Sequence, residues 1–130
     1  MTDRLDRGSA PVEFSLVSVL VVVVTLAVLQ VAFVAHVRAI AVDSAIAGAA
    51  HAALADTSNS EGVERTRELL ATGIAAGLVR DITVTDASID GRPGVTVDVT
   101  VAMPMLGPWL PLAEITARGR AFHEAPRFTP

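Results

Sequence analysis

A chain of 130 residues with no cysteine and a formal net charge of −4 has room for about one small domain. The missing thiols exclude disulfides, thiol catalysis and thiolate metal sites. The acidic balance, without any basic cluster, leaves no electrostatic footprint for nucleic acid. Hydrophobic residues make up 52% of the chain and aromatics only 4%. Most of that excess lies before residue 55, an asymmetry that calls for a membrane rather than for disorder.

The N-terminal MTDRLDRG carries Arg4 and Arg7 beside Asp3 and Asp6. From Phe14 to Ala35 no charge appears, and only Ser15, Ser18, Thr25 and Gln30 interrupt the apolar run. A helix over this stretch reaches about 33 Å, enough for a hydrocarbon core of about 30 Å. Buried strands run to about 4–8 residues, so the stretch is too long for one. Orientation follows the basic residues, and the two leader arginines favour a cytoplasmic N-terminus, with Arg38 on the other flank pulling weakly the other way. A conventional secretory signal is the competing reading, with Ala39-Ile40-Ala41 as its cleavage site and Val42 as the new start. Its apolar region should span only about 7–15 residues, so the longer run argues for a retained transmembrane helix.

Glu13 stands against the start of that run, in Gly8-Ser9-Ala10-Pro11-Val12-Glu13-Phe14. As an interfacial carboxylate it would sit at a helix N-terminus, where the macrodipole favours negative charge. The segment also resembles prepilin-like proteins of type IV filament systems, which have a short charged leader, a glycine before the cut and a glutamate at the fifth mature position. By that resemblance Gly8 ends the leader, Ser9 becomes the new N-terminus, and Glu13-Phe14 matches the Glu-aromatic pair of the Flp/Tad branch.

Helical character continues past the bilayer through His36 to Ala55, rich in alanine. Ala41, Ala45, Gly48 and Ala52 form a small-residue stripe, suited either to close helix pairing in a membrane or to a packed helix of little bulk. After the polar break Asp56-Thr57-Ser58-Asn59-Ser60, which offers N-cap residues, the pattern predicts a second helix from Glu61 to Val79. Val63, Leu70, Ile74 and Leu78 would line its apolar face.

The period then changes to two. Ile82-Thr83-Val84-Thr85 alternates, and Asp90-Gly91-Arg92-Pro93-Gly94 supplies a turn. Val95, Val97, Val99 and Val101 mark one buried strand face, and Glu114 to Phe122 offers a third strand with Ile115, Ala117 and Ala121 on one side. The fold expected is α+β: a long N-terminal transmembrane helix continuing into an extracytoplasmic helix, then a second helix packed on a small antiparallel three-stranded sheet. Between the last two strands, the Pro-interrupted loop with Met105, Leu106, Trp109 and Leu110 is apolar enough to contact a partner or the membrane interface, or else to fold over the sheet edge.

The layout as a whole is similar to the TadE-like family, minor pseudopilins of the Flp/Tad pilus assembly system. The likeness rests on Arg7-Gly8, Val12-Glu13-Phe14, the apolar helix, the alanines around Ala49-Ala50-His51-Ala52-Ala53, the valine strand, the Pro/Leu loop and the Arg-containing last strand. His51 departs from the arginine that related sequences often carry there. The resemblance implies a pilin-like fold with a leader at 1–8, a transmembrane helix at 9–36, a small extracytoplasmic domain at 37–124 and a flexible tail at 125–130. It implies a cell-membrane protein whose partners are the membrane, a prepilin peptidase, and other pilins and pilus assembly proteins.

His36, His51 and His123 are scattered and lack the metalloprotease spacing, and no phosphate-binding glycine loop or nucleophile elbow appears. No catalytic, metal or cofactor-binding residue is therefore expected, and no small-molecule substrate. The alternative to the pilin-like reading is an unprocessed single-pass anchored subunit that uses its outer domain to hold a partner in an envelope complex.

Overall fold

The computed structural model describes residues 9–54, 56–103 and 113–124. Two units are distinguished, Met1–Phe33 and Val34–Pro130. Helix α1 (Ser9–Ala52) begins in the first and supplies a core element to the second. Helix α2 (Asn59–Ala71), a 3₁₀ turn (Ala76–Leu78) and strands β1 (Val79–Ile89), β2 (Arg92–Met103) and β3 (Ala113–Phe122) complete the second unit.

The described part of the first unit is helix, with large apolar side chains on every face. Val19 to Val24 are each more than half exposed, and Phe14 is 74% exposed. Its hydroxyls are satisfied locally: Ser15, Ser18 and Thr25 each donate to the carbonyl four residues back, at 2.7–2.8 Å. These three hydroxyls thus find their acceptors within the helix.

The second unit is a meander with β2 in the middle, both pairings antiparallel. Asp90 and Gly91 form a two-residue turn with φ of 50° and 76°, the positive values that a type I′ hairpin turn demands at both central positions. From there Ile89 pairs with Arg92 and Val84 with Val97, and on the other side Val97 pairs with Gly119. This register puts Val95, Val97, Val99, Val101 and Met103 on one face, all fully buried. The other face is polar, with Arg118 Nε donating to Asp98 Oδ1 at 2.6 Å across the strands. That pairing holds the Arg118 guanidinium above its ordinary value.

Two helical segments cover the apolar face. Ala41, Ala45, Ala49 and Ala52 of α1 join Leu70 of α2, Ile74 and the β2 valines in one core. The small-residue stripe is thus buried inside this unit, a packed helix of little bulk. At Gly119 a Cβ would fall on the backbone of Ala45 and Ile46, so helix and strand meet backbone to backbone. The α1–α2 contact is equally close: a Cβ on Gly62 would come within 2.6 Å of the Ala52 methyl, and one on Gly48 would strike Thr66 Oγ1. Thr66, fully buried, donates that hydroxyl to its own helix at Gly62 O (2.7 Å). Nothing larger than these residues would allow α1 to sit this low on the sheet.

α2 is shorter than the sequence pattern predicts. It starts on Ser58, whose N–H donates to Glu61 Oε2 (2.7 Å) while Glu61 N–H donates back to Ser58 Oγ (3.4 Å). This reciprocal capping box holds the Glu61 carboxyl below its ordinary range, chiefly through the Ser58 N–H and next through the Ser58 hydroxyl. The helix closes at Ala71 rather than at Val79, with Thr72 N–H donating to Leu69 O and the N–H groups of Gly73 and Ile74 donating to Leu70 O. Ala75 is already extended (ψ 131°), and from Val79 onward the backbone pairs with β2 instead. Leu78 therefore lies in a 3₁₀ turn, half-buried, and only Leu70 of the predicted face is a buried α-helical residue.

Candidate functional site

The residues singled out at the N-terminal boundary fall on the first turns of α1. Ser9 is its first residue and Pro11 its third, where a missing N–H costs nothing because the first donors have no intrahelical acceptor. Glu13 follows Ser9 by four positions, so the two positions lie one turn apart on the same helix face. Both Glu13 and Phe14 are exposed. A carboxylate here is the single ionisable side chain of α1 before His36. It stands where 22 uncharged residues begin, from Phe14 to Ala35.

Apart from the Gln30 amide, that stretch offers its surroundings apolar side chains and hydroxyls bonded within their own helix. One helix among the described residues is long and apolar enough to cross a membrane, and it is this one. Burying a bare Glu13 carboxylate among such helices would cost several kcal/mol, about 2.5–3.5 for an acidic side chain at a membrane helix centre. A nearby cation reduces that cost.

Gly8, the other half of the predicted cleavage pair, lies outside the described residues, as do Met105, Leu106, Trp109, Leu110 and the predicted tail at 125–130. The strand ends flanking the apolar loop are described: Met103 and Ala113 pair with each other, so that connection leaves and rejoins the sheet at one place. The three histidines stay apart. His36 is exposed, His51 half-buried on α1, and His123 Nε2 lies 3.6 Å from Asp86 Oδ1. No group of three or more metal-ligating side chains occurs among the described residues.

Sequence reasoning missed the partner of the alanine stripe. Helix α1 rests on β3, whose inward residues Ala117, Gly119 and Ala121 are as small as the alanines above them. That matching small stripe at period two was the available signal. No protein-family model matches the chain, and neither a curated protein nor a solved structure matches it.

Proposed function

We propose that the chain is a TadE-like pseudopilin, a non-enzymatic structural component of Flp/Tad pilus assembly. In this reading a prepilin peptidase cuts between Gly8 and Ser9, the apolar half of α1 spans the cell membrane with its N-terminus cytoplasmic, and unit two lies outside the cytoplasm. Assembly then proceeds through the apolar half of α1, packing against other pilins or pseudopilins.

The observation that carries the reading is the contrast within α1. Its N-terminal half exposes large apolar side chains on every face, and its only carboxylate stands four residues into the mature helix. A helix that needed only an anchor would gain from an acid there no more than the macrodipole's preference for negative charge at its N-terminus. One that meets a neighbour's free N-terminus gains a charge partner.

Intact-mass and N-terminal analysis of the membrane-extracted protein, with and without the peptidase, tests the proposal. A peptidase-dependent start at Ser9 is expected. Gly8→Ala should block processing, whereas Ser18→Ala, which removes only a hydroxyl bonded to Phe14 O, should leave it intact. A full-length chain in both samples would overturn the proposal in favour of the unprocessed anchored subunit, and a start at Val42 would point to a conventional secretory signal.

A further inference from the structure

We propose that the α2–β1 connection of the second unit, Thr72–Leu78, rests in the headgroup layer of the phospholipid bilayer. This rests on the reading that α1 crosses that bilayer.

The level of the connection follows from strand and helix rise. Gly119 lies on Ala45, and Glu124 N–H donates to Ala53 O at 3.2 Å, so β3 runs in the same direction as the alanine-rich part of α1. Strand β1, two antiparallel pairings away, also runs in that direction. Through Val97, Val84 is level with Gly119. Val79 pairs with Val101, four β2 residues from Val97 because Arg80 bulges out of the ladder, so it lies roughly 13 Å back, about nine helix residues. That count brings the start of β1 level with roughly residue 36 of α1, directly after Ala35, where the uncharged run ends. A direct contact agrees: a Cβ on Gly73 would come within 2.7 Å of Ile40 Cδ1.

The connection has the composition for an interface. Gly73-Ile74-Ala75-Ala76-Gly77-Leu78 has no polar side chain, and Gly73, Ala75, Ala76 and Gly77 are exposed. Ile74 turns inward at 5% exposure and fixes the segment to the core. Beside it a cleft of about 340 Å³ has Leu70, Ile74 and Ile82 among its lining, with Arg67 and Arg80 also bordering it. Arg80 is the extra residue of a bulge between Val79 and Asp81; a bulge re-aims a side chain out of the regular ladder. Arg80 and Arg38, the latter two positions before Ile40, have no ion-pair partner among the described residues. Arg67 is shared with Glu64, and the Asp81 carboxylate accepts the Thr83 hydroxyl at 2.8 Å. Uncharged small residues bordered by unpaired arginines match a layer whose phosphates lie just above acyl chains. Alanine and glycine bury too little apolar area to go deeper.

The natural absence of cysteine permits single-site labelling of the full chain. Ala76→Cys, Ser88→Cys and Val24→Cys, each spin-labelled and reconstituted in phosphatidylcholine–phosphatidylglycerol vesicles, are compared by collision with oxygen and with a water-soluble nickel chelate. Ser88 is exposed near the opposite end of β1 and serves as the aqueous reference. The oxygen-to-nickel ratio at residue 76 should be severalfold higher than at residue 88, and highest at residue 24. Equal ratios at 76 and 88, with residue 24 in the bilayer, would overturn this inference and leave the spanning helix standing. A label at residue 24 that reports water would overturn the spanning helix, and the inference with it.

Discussion

The two halves of α1 share one backbone conformation and differ in side-chain size. From Phe14 to Phe33 the helix carries valine, leucine and phenylalanine on all sides, and those side chains are exposed. From Val37 to Ala52 a stripe of alanine with Gly48 is buried so closely that Gly119 of β3 touches helix backbone. Bulk decides the neighbour. Large side chains hold other backbones about 8–10 Å away, as in ordinary helix packing. Small ones let a sheet approach until the polypeptides themselves meet. Hydrophobicity alone does not distinguish the halves, because both are apolar. Size separates a surface that remains open to lipid or to other helices from one already committed to its own fold.

The sharpest way to break the comparison is to exchange bulk between the two regions. Gly119→Val should destabilise the second unit by about 3 kcal/mol, the upper part of the usual overpacking range, because the obstructing atoms are backbone and have no rotamer to yield. Val22→Leu, the same kind of enlargement in the exposed half, should shift stability by less than about 0.5 kcal/mol. Thermal unfolding in detergent, followed by protease sensitivity of the sheet, reads both. Similar losses from both variants would mean that the exposed half is packed after all.

A smaller effect probes the α1–α2 contact. Gly48→Ala places a methyl where Thr66 Oγ1 lies, and should cost about 1–3 kcal/mol. Thr66→Ala removes the obstructing hydroxyl together with its bond to Gly62 O. The double variant should therefore be more stable than the sum of the two single losses predicts. Additive losses would show that the helices separate on substitution rather than collide, since uncoupled sites add.

These contacts also show what was legible in the sequence. The valines of β2 alternate without interruption, and Asp90-Gly91 is a hairpin turn by composition, so the sheet's centre could be read directly. The membrane-length helix was equally plain, since a long uncharged run needs no tertiary context. The end of α2 was not. Thr72 to Leu78 contains alanine and leucine, which favour helix locally, yet pairing of Val79 onward with β2 outweighs that preference. Strand β1 looked shorter than it is because Asp86 and Ser88 interrupt its inward alternation. Asp86 lies at the sheet's margin, where Asn59 Nδ2 donates to it at 3.4 Å and His123 approaches. Glu13 and its fifth place counted from Ser9 were legible as a resemblance, and a helix that starts at Ser9 adds that the two positions share one face.

The smallest effect concerns how α2 is held at the angle that its glycine contacts require. Ser58→Ala removes a hydroxyl that accepts from Glu61 N–H and donates to Glu61 Oε2 at 2.8 Å, and should cost about 1 kcal/mol. The pH dependence follows from the same residues. Glu61 titrates below its ordinary value of 4.5 when folded, so its contribution is complete above that pH and is lost as acid protonates the folded carboxylate. Amide exchange in α2 should accelerate below about pH 4.5 relative to β2, after correction for intrinsic rates, and Glu61→Gln should flatten that dependence. If α2 and β2 loosen together instead, the helix has no separate fastening, and the Gly48–Thr66 and Gly62–Ala52 contacts alone set its position. The capping box would then be a local convenience, and close packing would account for the fold on both faces of the alanine-rich helix.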